Sequence, residues 1–392
     1  MFESSASMFA RIRPLAEEGG HATRKKGEQA SKADLKRLQE FSRSSVTVRD
    51  LKTEKDHDFE YMDQVIQPED NQEATFHNMG LPDMIEKFLA GYNVTFLAYG
   101  QTGTGKTHTM FGSKLDEVAE HDGETFPKDW GIFPRAVITA LRQMKERGGR
   151  YVFSANVIEI YFFQVFDLLN EKKGERKNIY YNGADFDFSK VFEMDVETSA
   201  DVDKMIKIMH TYRQSRGTNM NDTSSRSHCI ACLNLMRIEG EGEERKVTKS
   251  TFKFVDLSGS ERLEKTELEA KQSIDSWEGI ATNWDLFHFG RTIQLCNEAA
   301  KKGKKVRTVR ESILARVLKN TLDGEEIAAM VVTLSQSEKN GGETWCSLKF
   351  GDIVKDLQVK ALPAEGKNLS HLVKEKTKVR KCFELDYFTE MV

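Results

Sequence analysis

Val94-Thr-Phe-Leu-Ala-Tyr-Gly-Gln-Thr-Gly-Thr-Gly-Lys-Thr107 decides the fold of this 392-residue chain. Its first half, Val94 to Tyr99, is a predominantly apolar run of the kind a strand covered on both faces requires. Its second half fits the pattern G-x-x-x-x-G-K-[ST], in which glycines let the backbone turn tightly and point consecutive N–H groups at phosphate oxygens. Gly100, Gly103 and Gly105 take that part, with Gln101, Thr102 and Thr104 between them. Lys106 then offers a point charge to the β- and γ-phosphates, Thr107 a hydroxyl to Mg²⁺, and the helix that starts there its positive end. A buried strand before the loop and a helix after it are what the mechanism demands, so the chain is read as a nucleoside-triphosphate hydrolase.

Outward from the loop, strand-like and helical segments alternate. Ser45 to Leu51 and Asp58 to Ile66 read as strands, and Asn71 to Ala90 has the spacing of one helix. Val137 to Met144 and Val202 to Arg213 are helical, while Tyr151 to Leu169 reads as one long strand followed by an apolar turn. Cys229 to Glu239 and Lys249 to Leu257 complete the strand set, and 16–45 reads as a polar surface insertion. This alternation predicts an α/β, three-layer P-loop NTPase fold with a central mixed, mostly parallel sheet and helices on both faces. A boundary near 358 divides the domain, 1–358, from a lysine-rich neck or linker segment, 359–392. With only about seven residues before the first strand at 8–15, little chain is left to pair with a docked linker.

Composition narrows the partners. The 58 basic against 62 acidic residues leave a net charge of -4, which gives no global attraction to nucleic acid or to acidic membranes. No apolar stretch nears the roughly 20 residues that span a bilayer. Five cysteines, an odd number without repeated spacing, fit a reduced cytoplasmic setting, and Cys229 and Cys232 read as core residues of a strand.

Two further constellations complete a phosphate-sensing site. Asp256 ends the run Phe252-Lys-Phe-Val-Asp256, at the place where an acidic residue beside the loop can hold the water shell of Mg²⁺. Gly259, three residues on, lets backbone approach a γ-phosphate closely. Asn221-Asp-Thr-Ser-Ser-Arg-Ser-His228 is by itself an ordinary polar connection; beside a phosphate loop and a strand-end aspartate it reads as a switch.

With these in order, the sequence resembles the kinesin motor domain. The resemblance is carried by Ala10-Arg-Ile-Arg-Pro14, Gly91-Tyr-Asn93, Ala98 to Met110, Gly131 to Ala136, Glu159-Ile-Tyr161 with Asp167-Leu-Leu169, Asn221 to His228 and Asp256 to Arg262. It covers about 8–358. The resemblance implies ATP or ADP with Mg²⁺ as cofactors, microtubules as partner, a cytoplasmic, cytoskeletal location, and dimerisation through a region beyond the motor. It implies that Arg11, Pro14 and His108 enclose the adenine, and that Ser225 joins Thr107 and Asp256 around Mg²⁺. Asn221 and Ser224 would then approach the γ-phosphate and its attacking water, and Arg226 would pair with Glu261 as a gate.

Departures fall on the face that kinesins turn to the microtubule. The loop after Arg262 is longer, Asn283-Trp-Asp-Leu-Phe-His-Phe289 replaces the usual basic and small residues and Ile313 stands for a lysine; away from that face, Ser258 stands for an alanine. Phe162-Phe163 replaces an Asn-Glu pair. In the other direction, Lys301, Lys302, Lys304, Lys305, Arg307 and Arg310 place six basic residues in ten, with Arg316 nearby, as candidates for contact with an acidic filament. The sequence therefore leaves three readings: an ATP-driven motor, a non-motile ATPase that regulates microtubules, and a nucleotide-binding attachment module.

Overall fold

The computed structural model describes residues 2–14, 36–113, 126–170, 186, 188–216, 226–241, 244–261, 274–304 and 312–368. In chain order its elements are β1 (Phe2–Ser5), β2 (Ser7–Ile12), β3 (Lys36–Phe41), β4 (Val46–Asp50), β5 (Lys55–Phe59), β6 (Gln64–Ile66), α1 (Gln72–Asn78) and α2 (Leu81–Leu89). The glycine loop lies between β7 (Val94–Tyr99) and α3 (Lys106–Met110), followed by α4 (Ile132–Arg147), β8 (Arg150–Tyr161), β9 (Gln164–Asp167), β10 (Met194–Asp195) and α5 (Ser199–Arg216). The rest comprises β11 (His228–Glu239), β12 (Lys246–Asp256), α6 (Ile274–Lys301), α7 (Ile313–Val317), α8 (Lys319–Leu322), β13 (Ile327–Leu334), α9 (Gly341–Val354), β14 (Gln358–Ala361) and β15 (Lys367–Asn368).

The strand that feeds the glycine loop is central. The main sheet runs β10-β8-β11-β12-β7-β13-β2-β6, and every residue of β7 and of β13 is buried. From β12 to β6 the pairs are parallel, whereas β8, β11 and β12 pair antiparallel, so the sheet is mixed as expected. Helices α1, α2, α4 and α5 pack together on one side and α6 to α9 on the other, giving three layers. Parallel strands need crossovers, and those crossovers supply the covering helices. Cys229 and Cys232 are buried on β11 and free, as a core role requires.

Several local expectations differ. The helix expected over 71–90 is two helices, because Gly80 takes a left-handed φ of 67° and Pro82 opens the second. The long strand expected over 151–169 is a hairpin, β8 to β9, reversed by Phe162 and Phe163 at φ of 48° and 59°. The strand expected over 58–66 is interrupted between β5 and β6, and α4 and α5 run longer than their apolar cores. Of the expected insertion at 16–45, residues 36–41 form β3, which pairs with β4; 15–35 lie outside the described residues.

The expected shortage of chain for pairing with the linker is corrected. Phe2 to Ser5 form β1 and pair with β14, Phe2 opposite Ala361 and Ser5 opposite Gln358. The expected boundary at 358 thus falls on the first residue of β14, in which Val359 and Ala361 are buried. Beyond it, Ala364 donates its N–H to Gly91 O at 2.9 Å, and β15 pairs with β12 at Lys246 and Val247.

Candidate nucleotide site

A cavity of about 820 Å³ opens at the ends of β2 and β7, lined by Arg11, Arg13, Pro14, Gln72 and the backbone and side chains from Thr102 to Thr109. The loop that frames it is held open from below. Gly100 has φ of 150°, and a Cβ there would lie 2.5 Å from Thr333 O, so β13 packs where only glycine leaves room. Thr104 Oγ1 bonds to Thr333 Oγ1 at 2.6 Å and donates to Gln101 O at 2.7 Å. Gly103 and Gly105 take φ of 81° and 101°, and Gly105 is the left-handed residue from which α3 departs. Lys106 is 6% exposed, and its ammonium donates to Gly100 O at 2.8 Å and Gln101 O at 3.0 Å, so the charge is already held inside the loop.

Thr107 and Asp256, from elements far apart in sequence, meet here. Thr107 Oγ1 donates to Asp256 Oδ2 at 2.7 Å, at the end of the strand parallel to β7. Leu257 N–H then bonds Ala98 O and Ser260 N–H bonds Gly100 O, both at 3.2 Å, which lays 256–260 along the glycine loop. Glu261 accepts from Thr102 N–H at 2.9 Å and from Thr102 Oγ1. Gly259 lies so close that a Cβ would stand 2.2 Å from Thr102 Oγ1.

The other wall is organised by a residue that the sequence reading missed. Gln72, 4% exposed at the start of α1, accepts from Arg11 Nη1 at 2.9 Å and donates to His108 O at 2.7 Å. Its Nε2 also lies 3.1 Å from His108 Nε2, and Arg11 reaches Thr109 Oγ1 at 2.9 Å. Arg11 and His108 are thereby brought to one side of the cavity with Pro14. Arg13, also missed, donates to Gly103 O. The local signal was Asn71, whose side chain caps α1 by accepting Ala74 N–H at 2.8 Å and so fixes where Gln72 stands.

Asn221, Ser224 and Ser225 lie outside the described residues, as do Lys305, Arg307 and Arg310. Arg226 is the first described residue of the candidate switch; its carbonyl accepts Thr282 Oγ1 at 2.9 Å, tying it to α6. Lys301, Lys302 and Lys304 are exposed at the end of α6, with Lys301 3.7 Å from Asp356, and Arg316 lies on α7. The cavity, the glycine-only approach at Gly100, the buried lysine and the Thr107–Asp256 contact fit a triphosphate with its metal.

The comparisons with known proteins agree with this geometry. Residues 11–357 match the kinesin motor domain. Chromosome-associated kinesin KIF4 of Xenopus laevis is 31% identical over 314 residues, covering 79% of this chain and 24% of that protein. Carboxy-terminal kinesin 2 of the same organism is 32% identical over 318 residues, 79% of this chain and 46% of its own length, so the chain spans less than half of either relative. Among solved structures, a fast kinesin superimposes with a TM-score of 0.71 at 25% identity, over 92% of this chain and 94% of that one. A KIF14 dimer with AMP-PNP, in complex with a microtubule, gives 0.75 at 25% identity over 93% and 97%. The glycine loop, its aspartate partner and the match across 11–357 together place this chain in the kinesin motor domain family.

Proposed function

We propose that the chain is an ATP-driven microtubule motor domain, residues 1–358, followed by a neck or linker segment, 359–392. The observation that carries this reading is the 2.7 Å bond from Thr107 to Asp256, which joins the phosphate loop to the strand end that must answer to the nucleotide. In this account the backbone from Gly100 to Lys106 cradles the phosphates of ATP or ADP, and Lys106 turns from the Gly100 and Gln101 carbonyls to the β- and γ-phosphates. Arg11, Pro14 and His108 flank the adenine. Magnesium, when bound, neutralises charge on the phosphates; Thr107, Ser225 and Asp256 would hold it. Asn221 and Ser224 orient the attacking water, Gly259 approaches the γ-phosphate, and Glu261 leaves Thr102 to pair with Arg226. Little covalent work falls to the protein, so positioning and electrostatics carry the rate.

Lys301, Lys302, Lys304, Lys305, Arg307, Arg310 and Arg316 are proposed as the cationic contact with the acidic filament, at a cytoskeletal, cytoplasmic location, with dimerisation through chain beyond the motor. Replacing the four lysines of 301–305 by alanine should weaken microtubule co-sedimentation several-fold at low salt. The deficit should shrink as salt rises, because the Debye length falls to about 8 Å at physiological ionic strength. Equal affinity at low salt removes the basic run from the interface.

One observation favours a second reading, a non-motile ATPase that regulates microtubules. Ile280, Trp284 and Phe287 lie on one face of α6 and are 37%, 51% and 65% exposed, and Trp284 and Phe287 of this apolar stripe stand in the stretch where basic and small residues are usual. Steady-state ATPase with and without microtubules, beside a gliding assay, separates the readings. Stimulation with gliding supports the motor, stimulation without gliding the regulator, and absence of turnover an attachment module.

A further inference from the structure

Two of the departures from the family pattern, Ser258 and Asp285, meet at one buried imidazole. His228, the first residue of β11 and 2% exposed, accepts Ser258 N–H on Nδ1 at 3.1 Å. An acceptor nitrogen leaves the neutral ring's proton on the other one, so Nε2 carries it. That nitrogen lies 3.5 Å from Ser258 Oγ and 3.7 Å from Asp285 Oδ2. At 3.7 Å the carboxylate is a neighbouring charge and not a hydrogen-bond partner, and it favours the ring orientation whose N–H faces it. Burial pushes the pKa of His228 below the ordinary histidine value, against the pull of Asp285 and Asp256 and with that of Lys106, so the contact involves a neutral ring.

Asp285 does not belong to the nucleotide cavity. It is 5% exposed on α6, and its Oδ1 accepts from Ser312 Oγ and, at 3.5 Å, from Leu314 N–H. Ser312 Oγ in turn caps α7 by accepting Ala315 N–H at 3.2 Å. One carboxylate therefore faces three elements at once: the start of β11 after the candidate switch, the 256–261 segment through His228, and the N-terminus of α7. Burying a carboxylate is unfavourable unless neighbours compensate, and here Ser312 and Leu314 supply hydrogen bonds to it. Here the charge fixes the imidazole that holds the peptide N–H directly before Gly259.

We propose that Asp285 and His228 are positioning residues that pass movement of the Asp256–Glu261 segment to α6 and α7. The inference rests on the filament-stimulated ATPase reading above. When Ser258 shifts with the nucleotide, His228 must either follow or lose a buried bond. Because the Asp285 charge favours the ring orientation whose N–H faces it, movement of the ring draws α6 and the α7 cap along. The relay lies outside the phosphate cradle, so it should matter for the response to filament and little for chemistry in its absence.

The test is the steady-state kinetics of Asp285→Ser and Asp285→Asn, with and without microtubules. Serine cannot reach His228; asparagine keeps an acceptor for Ser312 and a dipole toward the ring. Asp285→Ser should keep basal kcat and the KM for ATP within about twofold of wild type, and lose about tenfold of the microtubule-stimulated kcat. Asp285→Asn should retain at least about half of the stimulated rate. If Asp285→Ser yields no soluble protein, Ser312→Ala removes the anchor on α7 with little change in shape and should show the same split at about threefold. A wild type that microtubules do not stimulate contradicts the motor reading itself. A stimulated wild type with an equally stimulated Asp285→Ser, or Ser312→Ala where that variant stands in, overturns the relay alone. So does a variant that loses basal and stimulated rates in the same proportion.

Discussion

Replacing Glu261 by alanine is expected to lower steady-state ATP turnover by about a hundredfold or more while leaving affinity for Mg-nucleotide within about threefold, since the carboxylate acts on the closed state more than on the bound one. The carboxylate accepts from the Thr102 N–H and hydroxyl, at the rim of the glycine loop. A carboxylate placed there is an internal anion that holds the 256–261 segment against the loop, and its exchange to Arg226 would close the site. Alanine removes both partners and leaves the cradle from Gly100 to Thr107 intact. Single-turnover and steady-state rates, read beside a fluorescent-nucleotide titration, check both halves. Unaltered turnover would refute the gate, and a collapse of affinity would make Glu261 part of the binding surface instead.

The largest expected change in stability lies one layer deeper. Lys253 and Glu326, 6% and 1% exposed, form a buried ion pair between β12 and the start of β13. Glu326 Oε2 also accepts Thr95 Oγ1 at 2.8 Å and Thr321 Oγ1 at 2.7 Å, so the group ties the strand before the glycine loop to the strand before Asp256 and to α8. Burial opposes ionisation of Glu326, yet the Lys253 charge, with hydrogen bonds from Lys253, Thr321 and Thr95, outweighs it and holds the carboxyl below its ordinary range. Lys253→Met should cost about 3–5 kcal/mol, because it leaves an uncompensated buried charge. The double variant Lys253→Met, Glu326→Gln should recover most of that loss, since glutamine still accepts from both threonines. Urea midpoints of the three proteins measure the loss and its recovery; a double variant no more stable than Lys253→Met contradicts the prediction. A depressed carboxyl stabilises the fold above its unfolded pKa of about 4.3 and loses that contribution as pH falls through the lower folded value. The excess stability of wild type over the double variant should therefore shrink in strongly acidic buffer.

Lys253 and Glu326 also mark where sequence reading stops. The glycine loop was legible because everything it needs lies within fourteen residues: a buried strand, three glycines, Lys106 and Thr107. Asp256 was legible as a strand end, although its partner Thr107 is 149 residues away. A lysine inside Phe252-Lys-Phe-Val carries no local mark of the glutamate 73 residues on, and Gln72 carries none of its bonds to Arg11 and His108. The β1–β14 pairing joins the two ends of the described chain, which no periodicity reports. The hairpin at Phe162 and Phe163 went unread for another reason. Left-handed turns favour Asn and Gly, and phenylalanine accepts such dihedrals only under tertiary constraint. Trp284 and Phe287 were visible as altered composition, while their exposure and their alignment with Ile280 required the structure.

Equilibrium titration of the purified chain and of Lys106→Ala with a fluorescent ATP analogue, with and without magnesium, tests the account at its root. Saturable one-to-one binding that magnesium strengthens, and that Lys106→Ala weakens by at least about a hundredfold, is the predicted result. A chain that retains no nucleotide, or one whose affinity ignores Lys106, would contradict it.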